Sequence, residues 1–286
     1  MATSTYLVFG DLHGRILPAF RLALAWQREH DVRLDGLLQV GDLGYFPDPT
    51  RLDKATRRHA ERDPLELGAQ LIAQRSRDAD AVFGDPDLPE AMWFIAGNHE
   101  DHAILESLQH GAGATLDDFS VDYYARVRCI RDGRVVTLPG GLRVGGLWGI
   151  DDKAPSARRT TPPRGKINPR SALQLSYDSF DVLLTHESPR DAMIVNAGSE
   201  DIELIVRCAQ PAFAFFGHYH CEGRLHECDF APTQVFHLDG LEMRGPDGTA
   251  EPGSVGVLRW DENDGVFEYL AREWLRSFTR HNWLHR

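Results

Sequence analysis

The fold is decided by one stretch near the N-terminus, Thr-Tyr-Leu-Val-Phe-Gly-Asp-Leu-His-Gly (residues 5–14). Its residues 6–9 are an apolar run of strand-forming types that ends at Gly10. Asp11 and His13 then alternate, so a still-extended backbone would point both side chains the same way. A carboxylate and an imidazole that converge at the end of a buried strand suit a divalent metal of the first transition row. Taken alone, the stretch is explained equally well by Asp11 capping the next helix and His13 lying in a turn.

Four further apolar runs end as the first one does, in side chains that can bind a metal. They end in Gly41-Asp42, Gly97-Asn98-His99-Glu100, Thr185-His186-Glu187 and Gly217-His218-Tyr219-His220. Helical patterns lie between the early runs. They predict a helix over residues 16–26 and one or two solvated helices over residues 51–78. Strands that alternate with helices predict a parallel α/β sheet, and sites in such sheets assemble at the carboxyl ends of the strands. One histidine after an apolar run is usually a core residue, whereas five such strand ends are hard to explain by packing alone.

The composition is that of an ordinary globular protein. The chain has 286 residues, of which 42% are hydrophobic and 26% charged, so it can bury a substantial core. Its formal net charge of −12 provides no long-range attraction to nucleic acid or to anionic membranes. An anionic substrate would therefore need a local positive charge, which bound metal ions can supply.

Neither a membrane span nor a secretory signal is predicted. No stretch approaches the roughly 20 apolar residues that cross a bilayer, and the N-terminus lacks a basic segment followed by a long apolar run. A cytoplasmic location is therefore the default expectation. The four cysteines are too scattered for a disulfide framework, so reduced thiols are expected. A zinc site of Cys221, His226 and Cys228 is a minor alternative, since a second cysteine pair at finger-like spacing is missing.

The rest of the chain predicts short strands and one more helix. Short strands separated by glycines are expected over 127–148, and strands with a hairpin turn at 261–265 are expected between 224 and 270. A final helix is expected from Ala271 to the C-terminus. The polar loop 151–170 carries Arg158, Arg159 and Arg164, which are either solvated or bind a phosphate of the substrate. One domain over 1–286, with 224–286 as part of it, is the simplest count.

In their order, the motifs resemble the signature of the calcineurin-like metallophosphoesterase superfamily. That signature runs Asp-x-His, Gly-Asp, Gly-Asn-His-Glu/Asp, a lone His and Gly-His-x-His, and each element is present between residues 6 and 220. The resemblance implies a four-layer α/β sandwich of two mixed β-sheets flanked by helices. It also implies two divalent metal ions. Imidazole and carboxylate ligands without thiolate fit Mn, Fe, Zn, Co or Ni, with Mn favoured.

The resemblance further implies a role for each motif residue. The first metal would be bound by Asp11, His13, Asp42 and His220, and the second by Asp42, Asn98, His186 and His218, with Asp42 as the bridge. Two such ions can share a hydroxide and clamp a phosphoryl group for in-line displacement. His99 would be the catalytic histidine, which protonates the leaving oxygen or stabilises its charge. Protein serine/threonine phosphatases orient that histidine with an Asp-Arg-Gly motif, but residues 44–46 here are Gly-Tyr-Phe, so its carboxylate partner is not identified.

A looser resemblance is to RNA lariat-debranching enzymes. They share Gly-Asn-His-Glu, a strand like residues 142–150, and a histidine followed by an acid and a proline, as in residues 186–189. This favours a phosphodiesterase that acts on nucleotides or short nucleic acids. Those enzymes can carry Cys where this chain has Asp11, which argues for full occupancy of the first metal site here. The alternatives are a small-molecule phosphomonoesterase, a dinucleoside polyphosphate hydrolase, and a non-catalytic metal-bound binding subunit; retention of His99 and of all the ligands argues against the last. The oligomeric state is not determined.

Overall fold

Two β-sheets form the centre of the computed structural model, which describes residues 3–152, 162–226, 228–245, 247–262 and 264–285. The strands are β1 (Ser4–Phe9), β2 (Gly36–Gln39), β3 (Met92–Phe94), β4 (Asp118–Ser120), β5 (Val127–Ile130), β6 (Arg134–Thr137), β7 (Arg143–Gly146), β8 (Val182–Leu184), β9 (Phe213–Phe216), β10 (Arg224–His226), β11 (Gln234–His237), β12 (Val255–Asp261) and β13 (Asp264–Tyr269). The helices are α1 (Ile16–His30), α2 (Lys54–Ala60), α3 (Gly68–Ala73), α4 (Arg77–Phe83), α5 (His102–Gly111), α6 (Pro169–Ser176), α7 (Glu200–Ala209) and α8 (Arg272–Leu275).

Both sheets mix parallel and antiparallel pairs. Within the described ranges, one has the strand order β13-β12-β1-β2-β3-β5-β4 and the other β10-β11-β9-β8-β7-β6. In the first sheet β1, β2, β3 and β5 run parallel, as do β7, β8, β9 and β11 in the second. The pairs β1–β12, β12–β13, β4–β5, β6–β7 and β10–β11 are antiparallel. The fold class predicted from the sequence, two mixed sheets flanked by helices, is confirmed.

The central strands of the second sheet are buried on both faces. On β9, Phe213 and Phe215 belong to the large core that the two sheets share, whereas Ala214 and Phe216 belong to a smaller core with α6 and α7. Successive side chains of a strand point to opposite faces. A strand covered on both sides is apolar throughout, which explains why this run shows no alternation. The layers are therefore helix, sheet, sheet and helix, and the parallel strands carry the motifs to a common edge.

Three details of the sequence prediction are wrong. The backbone does not stay extended after the first strand, because β1 ends at Phe9 and His13 has a φ of 40°. The segment 51–78, expected as one or two helices, is broken into shorter ones at capping residues such as Asp53 and Ser76. The final helix is only α8. Beyond it Asn282 bonds to the backbone of Ser277 and Thr279, and such local bonds compete with helix formation.

The aromatic side chains of this last segment pack against the main core. Phe278 is fully buried in the main core, and Trp274 lies against it with ring centroids 5.0 Å apart. None of the described helices combines the length and the apolar character that a bilayer span needs. The single-domain count and the cytoplasmic location stay predictions.

Candidate metal centre

The structure brings five of the seven predicted metal ligands together where strands of both sheets end. Asn98 and His218 belong to neither of the two groups that the five form. In each of two groups, the ligand atoms lie within 4.8 Å of one another. One group is Asp11, His13 and His220, and the other is Asp11, Asp42 and His186. Asp42 Oδ2 lies 3.2 Å from His186 Nε2 and 4.0 Å from His13 Nε2. Asp11 belongs to both groups, whereas Asp42 belongs to one and lies near an imidazole of the other. The bridging role of Asp42 stays a prediction. Cys221, His226 and Cys228 form no such group in the described part of the chain.

Glycines of the motifs make room for the carboxylates of other motifs. A Cβ atom at Gly97 would lie 2.2 Å from Oδ1 of Asp42, and one at Gly217 would lie 2.2 Å from Oδ1 of Asp11. The first of these oxygens also accepts a hydrogen bond from the amide of His99 at 2.7 Å. Glycine is needed wherever another group must approach the backbone this closely. The two motif glycines are thus explained by contacts across the centre and not by turn geometry.

Three of the predicted ligands have a left-handed backbone. The φ angles are 40° at His13, 51° at Asp42 and 70° at His218. Such conformations cost on the order of 1–3 kcal/mol and persist where the surroundings hold them. The amide of His13 donates to the carbonyl of Asp42 at 2.9 Å, and the amide of His218 donates to Oδ1 of Asp11 at 3.1 Å. Bonds between distant segments therefore hold the ligand-bearing turns in place.

Two buried polar atoms of the centre have no hydrogen-bond partner among the described residues. They are Oδ1 of Asn98 and Nε2 of His186, the latter facing Oδ2 of Asp42 at 3.2 Å without hydrogen-bond geometry. Nδ1 of His186 is bonded to the carbonyl of Val40 at 3.0 Å, and the ring of His218 lies beside it with centroids 5.1 Å apart. Unpartnered buried polar atoms are rare in native structures, and imidazole nitrogen and carbonyl oxygen are suitable ligands for divalent ions. These residues fit the metal that the sequence predicts.

Burial and neighbouring charges shift the pKa values of the titratable groups in the centre. Burial raises the pKa of Asp11 to about 7, and it lowers the pKa of His13 to about 4. Burial also acts to lower the pKa of His186, but the charges of Asp42 and Asp11 raise it to about 10. The carboxyl groups of Asp11 and Asp42 thus lie close together in a buried site. A bound cation would stabilise their ionised forms.

His99 has a carboxylate partner that the sequence does not reveal. Its Nδ1 lies 2.7 Å from Oδ2 of Asp53. The other oxygen of Asp53 caps α2 by accepting a bond from the amide of Thr56 at 2.7 Å, so the carboxylate is fixed in place. The bond to Asp53 raises the pKa of His99 to about 9, so the imidazole is protonated at neutral pH. The only sequence signal of Asp53 is its capping position, which says nothing about His99.

Glu100, the last residue of the Gly-Asn-His-Glu motif, lies behind the centre. Its carboxylate oxygens accept hydrogen bonds from the amides of Leu43 at 2.7 Å and Tyr45 at 2.5 Å. Burial raises its pKa to about 8. Gly44 lies between these amides with a φ of 75°, a conformation that favours glycine. Glu100 therefore holds the turn that follows Asp42.

A cavity of about 240 Å³ opens beside His99. Ala55 and His59, which follow Asp53 in the chain, line this cavity together with Arg244. Arg244 Nη2 is 3.1 Å from Oε1 of Glu242, a buried carboxylate that no motif contains. A group attached to a phosphoryl at the centre has room in this cavity, next to His99.

The arginines predicted to bind substrate lie apart from these contacts or outside the described residues. Arg158 and Arg159 are outside them. Arg164 is exposed, and both its Nε and its Nη2 contact the carboxylate of Glu106, the closer at 2.7 Å. The guanidinium is thus already paired, and its role in substrate binding stays a prediction.

Comparisons with known proteins agree with this geometry. The family model described as calcineurin-like phosphoesterase matches residues 4–222. A lariat debranching enzyme from Gallus gallus is 24% identical over 200 residues, which make up 64% of this chain and 32% of that protein. The chain therefore spans about a third of the length of this curated relative.

Solved structures resemble the chain over nearly its whole length. GAP50, the anchor in the inner membrane complex of Plasmodium, has a TM-score of 0.52 and 13% identity, and the match covers 98% of this chain and 88% of that one. Another solved chain has a TM-score of 0.53 and 13% identity, with 94% of this chain and 100% of that chain covered. At such low identity the likeness concerns the fold.

Proposed function

Because this chain belongs to the calcineurin-like phosphoesterase family, we propose that it is a phosphodiesterase with two divalent metal ions that acts on nucleotides or short nucleic acids. Family membership implies a phosphate ester as the substrate. The observation that carries the proposal is the convergence of ligand atoms from four separate segments around Asp11 and Asp42, beside His99 and its cavity.

The metal ions would be held by the residues that the motifs assign. These are Asp11, His13, Asp42 and His220 for the first ion, and Asp42, Asn98, His186 and His218 for the second. When bound, the ions supply Lewis acidity toward phosphoryl oxygens and a nucleophile at neutral pH. Aspartate and asparagine oxygens beside imidazoles suit manganese, which we propose as the native metal.

His99 would act on the leaving group. Its Nδ1 is bonded to Asp53, so Nε2 is the nitrogen left to donate a proton to a leaving oxygen. The raised pKa keeps that proton on the imidazole at neutral pH. A positioned acid of this kind contributes roughly 10²–10⁴-fold to rate. Asp53 orients the ring and is a positioning residue.

A diester fits the charges around the centre better than a monoester. Arg15, which directly follows the first motif, is bonded to Glu66 at 2.6 Å and to Asp63 at 2.8 Å. Arg244 is paired with Glu242. A terminal phosphate carries about two negative charges at neutral pH, whereas a diester carries one. Since Arg15 and Arg244 are already paired with carboxylates, they offer little positive charge to the substrate, and a single negative charge needs less compensation than two. The likeness to a lariat debranching enzyme supports the same preference.

A direct comparison of model substrates tests this preference. Manganese-loaded protein should turn over bis(p-nitrophenyl) phosphate faster than p-nitrophenyl phosphate. Dinucleotides, cyclic nucleotides and short RNA or DNA would then define the substrate class. Faster turnover of the monoester would contradict the proposal.

A small-molecule phosphomonoesterase or dinucleoside polyphosphate hydrolase is the second candidate. Of these two, the phosphomonoesterase is the one that the cavity favours, because about 240 Å³ is below the roughly 300 Å³ at which ligand pockets usually begin and suits a small substrate. A monoester preference in the comparison above would establish it.

A further inference from the structure

We propose that Glu242 is a positioning residue of the metal centre, which holds His220 by Nδ1 so that its other ring nitrogen faces the first metal. The inference rests on the proposed function in one respect, namely that His220 binds a metal. Glu242 stands outside every motif of the sequence, 22 residues beyond His220.

Glu242 is a buried carboxylate that points toward the first metal pocket. Its side chain is 4% exposed, and Oε1 lies 3.1 Å from Nδ1 of His220 and 4.0 Å from Nε2 of His13. Oε1 has no hydrogen bond of normal geometry among the described residues. Burying a carboxylate is costly unless it is paired. Two groups lie 3.1 Å from Oε1, namely Nη2 of Arg244 and Nδ1 of His220, and the imidazole can supply a hydrogen bond there.

The arrangement is that of a residue behind a ligand and not of a further ligand. Asp11, His13 and His220 have ligand atoms within 4.8 Å of one another, and among the described residues Glu242 does not belong to that group. If Nδ1 of His220 donates its proton to Glu242, Nε2 carries the free lone pair. Metal-binding histidines are commonly oriented in this way by a carboxylate or a carbonyl, which also makes the imidazole a stronger ligand.

His186, a ligand of the other predicted metal, shows the same arrangement with a different acceptor. Its Nδ1 is bonded to the carbonyl of Val40 at 3.0 Å, and its Nε2 lies 3.2 Å from Oδ2 of Asp42. A backbone carbonyl thus fixes one imidazole. A carboxylate in the equivalent place would fix the other and add a negative charge behind the first metal.

Close packing and backbone hydrogen bonds fix the position of the loop that carries Glu242. A Cβ atom at Gly240 would lie 2.9 Å from Oε1 of Glu242, so glycine leaves room for the carboxylate. The amide of Leu241 donates to the carbonyl of Asp11 at 2.7 Å. Three successive amides, those of residues 242–244, donate to the carboxylate of Glu251 at 2.6–3.0 Å. This loop is therefore fastened directly to the strand end that carries the first motif.

Arg244 is the other residue that could hold the imidazole of His220, so its substitution is the matched control for that of Glu242. Its Nη2 lies 3.4 Å from Nδ1 of His220, and a bond there would place the imidazole proton on Nε2 and block metal binding by that atom. The same Nη2 is 3.1 Å from Oε1 of Glu242. If Glu242 positions His220, removing Arg244 leaves metal binding intact. If Arg244 positions His220, the two substitutions exchange their effects.

Titration of the metal-free protein with Mn²⁺ tests the proposal without substrate. Calorimetry, with electron paramagnetic resonance to count free Mn²⁺, should give two sites in the wild type. Glu242→Ala should weaken one site by about 10–100-fold and leave the other unchanged. Glu242→Gln keeps the shape and an oxygen that accepts from Nδ1, so its affinity should fall between those of the wild type and Glu242→Ala. Arg244→Ala should retain both affinities.

The outcomes separate this proposal from the proposed function. Wild-type affinities at both sites in Glu242→Gln and Glu242→Ala would overturn the role of Glu242, even if the protein is a two-metal phosphodiesterase. Two Mn²⁺ sites without diesterase activity would contradict the proposed function and leave the role of Glu242 intact. A wild-type chain that binds no Mn²⁺ overturns both. The thermal unfolding of each metal-free variant shows whether a loss of affinity reflects a loss of folding.

Discussion

His99 can be separated from the metal ligands by one substitution. The imidazole ring of His99 is hydrogen-bonded to Asp53, which is not a predicted ligand. The backbone amide of His99 donates a hydrogen bond to Asp42. His99→Ala removes the ring and keeps the amide. Turnover of the diester should therefore fall by about 10²–10⁴-fold while the Mn²⁺ content stays that of the wild type, as measured by elemental analysis. Loss of a metal ion in this variant would mean that His99 is a ligand.

The bond between His99 and Asp53 should make stability depend on pH. It raises the pKa of His99 from 6.5 to about 9. A raised pKa of a histidine stabilises the folded chain fully below the unfolded value, and the contribution is lost as the pH rises through about 9. Asp53→Asn removes this contribution but keeps a good cap for α2.

Urea unfolding of the metal-free protein measures this effect. Asp53→Asn should lower the free energy of unfolding by roughly 1 kcal/mol at pH 6, a modest value because both side chains are about one-third exposed. At pH 10 the wild type and the variant should be nearly equal. An equal loss at both pH values would show that Asp53 acts through α2 and not through His99.

Among single residues, the sequence predicts the metal ligands and His99 but not the carboxylates that contact their imidazole rings. Each predicted ligand belongs to a short motif with fixed spacing, so its type and position could be read directly. Asp53 and Glu242 lie in segments without such a pattern, and they contact His99 and His220 only because the fold brings distant segments together. The predicted roles of the motif residues themselves await the metal and activity measurements.

The turns after the strands, more than the strands themselves, determine the shape of the centre. A methyl group at position 97 would lie 2.2 Å from Oδ1 of Asp42, so Gly97→Ala must displace that carboxylate or the turn. Overpacking of this kind typically costs about 1–3 kcal/mol. We expect lower thermal stability together with weaker Mn²⁺ binding at both sites, measured by calorimetry.

Gly111, at the end of α5, is the matched control for this prediction. A Cβ atom there would meet no atom within 4 Å, and its backbone is helical. Gly111→Ala should leave Mn²⁺ binding unchanged and raise stability by about 0.4–1 kcal/mol. Equal behaviour of the two variants would refute the steric role of Gly97.

Strands were predicted better than helices, for a physical reason. The strand runs are continuous and apolar because both sheets are covered, and glycine ends them. The segments 51–78 and 271–285 contain many good helix formers, but capping side chains such as Ser76 and Asn282 divide them. Whether such a residue caps a helix or lies within it depends on tertiary packing, which cannot be predicted from the composition of the segment.

Metal binding should stabilise the molecule as a whole. The two groups of ligand atoms join strand ends from both sheets, so an ion that binds them binds the folded state and not the unfolded chain. At a free Mn²⁺ concentration about 100 times the dissociation constant, the expected gain is about 2.7 kcal/mol per site. Thermal unfolding in Mn²⁺ and in EDTA measures it. Asp42→Ala, which lacks a carboxylate near both pockets, should show little or no shift.

The class and layering of the fold followed from the ordered motifs and from the resemblance they carry. The path of the chain after residue 222 did not. β12 pairs with β1 along the whole of β1, from Ser4 opposite Trp260 to Phe9 opposite Val255. Nothing in either segment marks the other as its partner, because antiparallel neighbours need only compatible apolar faces.

This pairing has a consequence for shortened versions of the protein. The match to the family model ends at residue 222, so a truncation there keeps every motif and looks complete. It would also strip β12 from β1 and leave the strand that leads to Asp11 as an open edge. Unpaired amides and carbonyls along an apolar edge are a template for aggregation. The segment after residue 222 therefore protects the edge of β1 from pairing with other molecules. A shortened version of the protein made for expression should include it.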